Sequence, residues 1–151
     1  MKKINVMPLV CFVMLFSGFA VEAGEDLTGK FMQAAKTGNI EEVKSLIKNG
    51  VDVNTRVEGG GTALMFAASE SQFQMVKFLI QEGADINAQD ENGWSVLILA
   101  SMWDNVKIVK IMIDNGADLN LKDNKGQTAL AIAIEMKHKK IIKLLQKAGA
   151  R

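Results

Sequence analysis

The sequence predicts an all-α solenoid of about four helix-turn-helix units joined by β-turns and preceded by a signal peptide. Three observations carry that reading. Six columns of residues recur at a step of 33 from about residue 27 onward. Thirteen glycines and a single proline suit short helices punctuated by tight turns. The first 23 residues follow the order of an export signal. At 151 residues, 48% of them hydrophobic, the chain is one domain's worth of protein with enough apolar content for a core. Its 18 Lys+Arg against 17 Asp+Glu leave no broad basic field to meet phosphates, so no nucleic-acid partner is expected.

Residues 1–23 read as the signal peptide. Lys2 and Lys3 form a basic start, Ile4 to Ala20 is mostly apolar, and Val21-Glu22-Ala23 puts Val and Ala where a signal peptidase reads. Cleavage is expected after Ala23, with Ala20 as a second cut. The competing reading is an uncleaved anchor. The stretch is short for a span of roughly 20 residues, and Asn5 and Pro8 interrupt its start. No stable membrane insertion is therefore expected after cleavage. Val10 lacks the small side chain that a lipoprotein signal needs before Cys11, which argues against a lipid anchor. The mature chain would hold 16 cations, 16 carboxylates and no thiol, which suits an oxidising compartment. It has no Asn-x-Ser/Thr site, and the short signal looks bacterial. The periplasm is expected, with secretion as the alternative.

Residues 24–151 form the repeat domain, in units of about 27–54, 55–88, 89–121 and 122–151. Gly50, Gly83, Gly116 and Gly149 share the step of 33, as do Asp52, Asp85 and Asp118, and Asn54, Asn87 and Asn120. Ala34, Ala67, Ala100 and Ala133 keep it too. So do Val43, Val76, Val109 and Ile142, and Leu46, Leu79, Met112 and Leu145. Within a unit, Thr62 opens the first helix, its hydroxyl able to cap free backbone N–H groups, and Ser95 and Thr128 take the same place. Ala67-Ala68 lets a second helix approach closely. Phe73, Val76, Phe78 and Leu79 predict that helix's buried stripe. Gly83 ends it in the left-handed conformation, and the chain from Asp85 leads to a turn closing at Asn92-Gly93.

Gly83-Ala84-Asp85-Ile86-Asn87-Ala88 and Gly116-Ala117-Asp118-Leu119-Asn120 resemble the ankyrin-repeat signature, and Thr128-Ala129-Leu130 resembles its Thr-Pro-Leu helix start. The resemblance covers about residues 27 to 151. Where the family has Pro, this chain has Ala63, Val96 or Ala129. Where it has His, the chain has Met65, Ile98 or Ala131. The family residues usually tighten a repeat, so their absence implies lower stability on the same fold.

The first unit reads as an N-terminal cap lacking its turn, and both outer units should be polar caps. Lys137, Lys139, Lys140, Lys143 and Lys147 fit that role; they read as a solvated end face, with an acidic partner as the alternative. Such charged caps disfavour end-to-end association, so a monomer is expected.

Resemblance to ankyrin-like stacks implies binding through turn tips and first helices, on a concave face. By register the face carries Glu58, Glu70, Glu91, Asn92, Trp94, Met102, Trp103, Gln127 and Met136. Both tryptophans fall at positions that the family usually exposes. Large apolar residues there suggest a buried contact, Trp is enriched among interface hot spots, and Met adapts to an irregular partner. The competing reading has Trp94 packing over a neighbouring turn and Trp103 covering the gap between two units. Glu58, Glu70, Glu91 and Glu135 would form an acidic rim, or simply solvated surface.

No catalytic apparatus is legible, and no cofactor is expected. The single His138 lies between the helices of the last unit, where a structural role is expected. With no cysteine after Cys11, a zinc site would need carboxylates at unsuitable spacing. No histidine is in register with Ser69, Ser71 or Ser101 to act as a base. Gly59-Gly60-Gly61 lacks the Lys-Ser/Thr of a phosphate loop and reads as a flexible turn tip. The expected function is non-catalytic binding of a protein partner. The sharper form is an inhibitor or immunity protein for a toxin or enzyme. The rival is glycan or lipid recognition by the same aromatic pair.

Overall fold

A computed structural model describes residues 26–151. The signal peptide assigned to residues 1–23, both of its cut sites and Cys11 lie outside the described residues. Eight helices follow in four pairs: α1 (Leu27–Thr37) with α2 (Ile40–Lys48), α3 (Ala63–Ser69) with α4 (Phe73–Gln81), α5 (Val96–Met102) with α6 (Val106–Asp114), and α7 (Ala129–Glu135) with α8 (Lys139–Lys147). The only β pairing among the described residues is three isolated bridges that close the turn tips, Arg56 with Thr62, Gln89 with Ser95 and Lys122 with Thr128.

Local chemistry sets each boundary. The hydroxyls of Thr62, Ser95 and Thr128 accept from the N–H of Met65, Ile98 and Ala131, as their place before each first helix predicted. The turn inside each unit needs one residue with positive φ, supplied by Gly38, Ser71, Asp104 and Lys137. The next N–H then closes onto the carbonyl of the alanine column, Asn39 to Ala34, Gln72 to Ala67, Asn105 to Ala100 and His138 to Ala133. The second helices end the same way. Gly50, Gly83, Gly116 and Gly149 take positive φ, and the following N–H bonds to Leu46, Leu79, Met112 and Leu145.

The helices stack in two layers. First helices pack side by side, α1 on α3, α3 on α5 and α5 on α7, while α4, α6 and α8 form the second row. The alanine column is buried throughout, which is what lets the layers approach. Val43, Val76, Val109, Leu79, Met112 and Leu145 are fully enclosed between them. On α4 the buried stripe is Met75, Val76 and Leu79. Phe73 and Phe78, expected there, are only half-buried, their rings packed on the core and covered by Lys107 (5.0 Å to the ring centre) and Lys44 (5.7 Å).

Successive units are joined by one repeated bond. The side-chain oxygen of Asn54 accepts from the N–H of Asp85, Asn87 from Asp118, and Asn120 from Arg151, at 2.7 to 2.8 Å. The aspartate column shapes its own turn. Asp52, Asp85 and Asp118 each accept from the N–H two residues on.

The last unit departs from a polar cap. Ala35, Ala68 and Ser101 are buried under the following unit, but Ile134 at the same step stands 52% exposed because no described unit covers it. The charge of this unit is concentrated on α8 instead.

Candidate protein-interaction surface

Turn tips define one edge of the surface. In the third unit Asp90 Oδ1 accepts from the N–H of Asn92 and Trp94, and in the fourth Asp123 Oδ1 accepts from Lys125 and Gln127. The second unit has Val57 where these have Asp. There a single 3-10 turn, Glu58–Gly60, closes with the Gly60 N–H on the Val57 carbonyl.

Each tip is bonded to the next. The Glu91 N–H donates to Gly59 O, the Asn124 N–H to Asn92 O, and Asn124 Nδ2 to Glu91 O. Below them Arg56 Nη1 donates to Gln89 O at 2.7 Å, and Gln89 Nε2 to Lys122 O at 2.9 Å. Gly59-Gly60-Gly61 is therefore not the loose tip its composition suggested. A Cβ on Gly60, which has positive φ, would lie 3.1 Å from the Asp90 and Glu91 backbone, tighter than an ordinary contact, so glycine favours the close approach.

The predicted residues do not form one patch. Glu58, Glu91 and Asn92 are exposed at the tips. Trp94 precedes α5 and is half-buried against the core. Met102 is also half-buried. Gln127, half-buried at the last tip, donates to Glu135 Oε2 at 2.9 Å. Glu70 lies exposed, 3.8 Å from Lys36 Nζ. Trp94 and Trp103 flank α5 at its opposite ends, roughly 13 Å apart along the axis at the usual helical rise. Of the two, only Trp103 is exposed to water.

What the fold does bring together is a row across first helices. Glu70, Trp103 and Met136 are the C-terminal caps of α3, α5 and α7, at equivalent places in neighbouring units. Trp103 is 50% exposed and Met136 49%. Ile134, two residues before Met136, is a third exposed apolar side chain, outside this row and on the uncovered side of α7, which the sequence reading did not single out. Its signal was present: a bulky residue in a column otherwise filled by Ala35, Ala68 and Ser101.

His138 Nδ1 lies 2.8 Å from the Ser101 carbonyl oxygen, so this nitrogen carries the proton when the bond forms. In the same column Asn105 Nδ2 donates to Ser71 Oγ, and Gln72 Nε2 to the Lys36 carbonyl. The column thus ties each second helix back to the preceding unit, which is the structural role expected of His138. No group of three or more His, Cys, Asp or Glu side chains among the described residues could hold a metal ion.

A family model described as ankyrin repeats (3 copies) matches the chain over residues 14–90, 31–123 and 83–151. No curated protein matches the chain significantly.

Proposed function

The chain belongs to the ankyrin-repeat family, and we propose that it holds one protein partner in the periplasm through the exposed Trp103 and Met136 of that row and the exposed Ile134 beside it on α7. Ankyrin repeats are generally protein–protein interaction modules and typically non-catalytic. The observation that carries the reading is the exposure of three large apolar side chains at the ends of two adjacent first helices. Exposed apolar area of this kind favours a contact that removes it from water. Tryptophan supplies a rigid anchor there, and methionine a side chain that adapts. Glu70, in line with the row on α3, supplies a polar margin, while Glu58, Glu91, Asn92 and Gln127 stand at the tips at the other end of the first helices and Trp94 and Met102 pack on the core.

Affinity capture from a cell-envelope extract tests this reading. The wild-type chain is expected to retain a protein that Trp103→Ala/Met136→Ala/Ile134→Ala releases, with unchanged circular dichroism. Equal retention by both forms would remove this face from consideration. Periplasmic placement is checked separately by cell fractionation and the mass of the recovered chain. It is expected to begin at Gly24, or at Val21 if the second cut is used. A chain recovered from the cytoplasm with Lys2 and Lys3 intact would overturn export.

A further inference from the structure

Lysines are concentrated on the second helices; the first helices carry only two lysines and one carboxylate, and most of the acid lies in the loops. The four second helices hold nine lysines against three carboxylates, while the rest of the described residues hold seven cations against twelve carboxylates. The bias grows along the stack. α2 is balanced, α4 and α6 each carry one net positive charge, and α8 carries four lysines and no acid. A near-neutral composition conceals a molecule with one basic side.

The lysines are in register. Lys44, Lys77, Lys110 and Lys143 stand 33 residues apart, at the same position of successive second helices. With α4 packed on α6 and α6 on α8, neighbouring members of this row sit roughly one interhelix spacing apart, about 8–10 Å. On α8, Lys140, Lys143 and Lys147 lie three and four residues apart, on a single face, while Ile141 and Leu145 are buried on the opposite side. Among the described residues, Lys77, Lys110, Lys139, Lys140, Lys143 and Lys147 form no ion pair, whereas Lys44 on the balanced α2 is bonded to Glu41 at 3.0 Å.

Solubility alone calls for interspersed charge of both signs. Concentrating one sign here opposes folding through self-repulsion. Between α6 and α8 runs a groove lined by Lys110, Ile113, Asp114, Leu144, Lys147 and Ala148, so apolar side chains lie between lysines. Lysine is a flexible point charge, suited to phosphates that move, whereas arginine makes the fixed bidentate contacts of nucleic-acid recognition. No aromatic side chain on α6 or α8 is available to stack on a base.

We infer that the α6–α8 side of the second-helix layer docks peripherally on an anionic phospholipid bilayer, leaving the tips and first-helix ends directed away from the lipid. No described helix is long and apolar enough to cross a membrane, so the attachment is to headgroups. It does not depend on the partner reading above.

The test is co-sedimentation of the full chain with vesicles of phosphatidylcholine alone, or with about a third phosphatidylglycerol. Residues 1–25 are common to every form compared, so the readout is the increment that anionic lipid adds. That increment is expected to vanish at high salt, and Lys140→Gln/Lys143→Gln/Lys147→Gln should lower it by roughly tenfold or more. Lys36→Gln/Lys122→Gln/Lys125→Gln makes the same change of charge on the first-helix and tip side and should keep it. Equal binding to both vesicles would overturn the proposal, as would equal losses in the two variants. Retention of the chain by an acidic protein or DNA without any anionic-vesicle increment would also overturn it.

Discussion

Asn87 in the second unit accepts the backbone N–H of Asp118 in the third, 2.8 Å away across 31 residues of sequence. Asp118 in turn accepts the N–H of Asn120, whose own oxygen reaches the next turn. The bond is both the boundary of one unit and the start of the next. Asn87→Ala should therefore cost about 1–2 kcal/mol, read from urea unfolding. Asn87→Asp, which keeps an acceptor in place, should cost less. Equal losses would mean that the bond contributes nothing beyond the shape of the residue.

Glycines at the tips should separate into two classes. A Cβ on Gly93 would fall 2.8 Å from Asn124 N, whereas one on Gly126 meets nothing within 4 Å, and both have positive φ. Gly126→Ala should cost only the left-handed conformation, about 1–2 kcal/mol. Gly93→Ala should cost clearly more, because the Asn124 backbone must move and its bond to Asn92 weaken. Thermal unfolding of the two variants side by side is the check.

Lys137 adopts φ +62° in the turn where the first unit uses Gly38. Lys137→Gly is expected to raise stability by up to about 1 kcal/mol, and Lys137→Ala to leave it nearly unchanged. A loss in the glycine variant would show that the lysine stem contributes more than its backbone strain removes.

Ser101 Oγ is fully buried and has no hydrogen-bond partner among the described residues, in a column where two earlier units have Ala35 and Ala68. Ser101→Ala should be neutral or stabilising by about 1 kcal/mol, since it removes an unpaired polar atom and keeps the helices close. Chemical denaturation midpoints compared at equal slope would show it.

The two tryptophans should behave differently. Trp94→Ala removes a ring packed on the core and is expected to cost about 2–3 kcal/mol, below the usual range for a fully enclosed aromatic residue. Trp103→Ala removes a side chain that is half in water and should cost under about 1 kcal/mol. A large loss at Trp103 would favour a packing role there too.

The period of 33, the order of helices and turns, the hydroxyl caps and the terminating glycines were all determined by the sequence alone. Each depends on chemistry within a few residues: a Thr62 oxygen reaching its own helix, or Gly83 allowing a positive φ. Only the tertiary structure decided which apolar residues remain in water, because burial depends on whether another unit stands over the column. Ser101 is covered and Ile134 is not, though they share a step of the same repeat. Stacking likewise half-buried Trp94 against the core and left Trp103 and Met136 half in water, although all three lie at positions the register had placed on one face. The clustering of lysines on the second helices arises the same way. Net charge is a sum over the chain, whereas the field at a surface depends on which helices share that side.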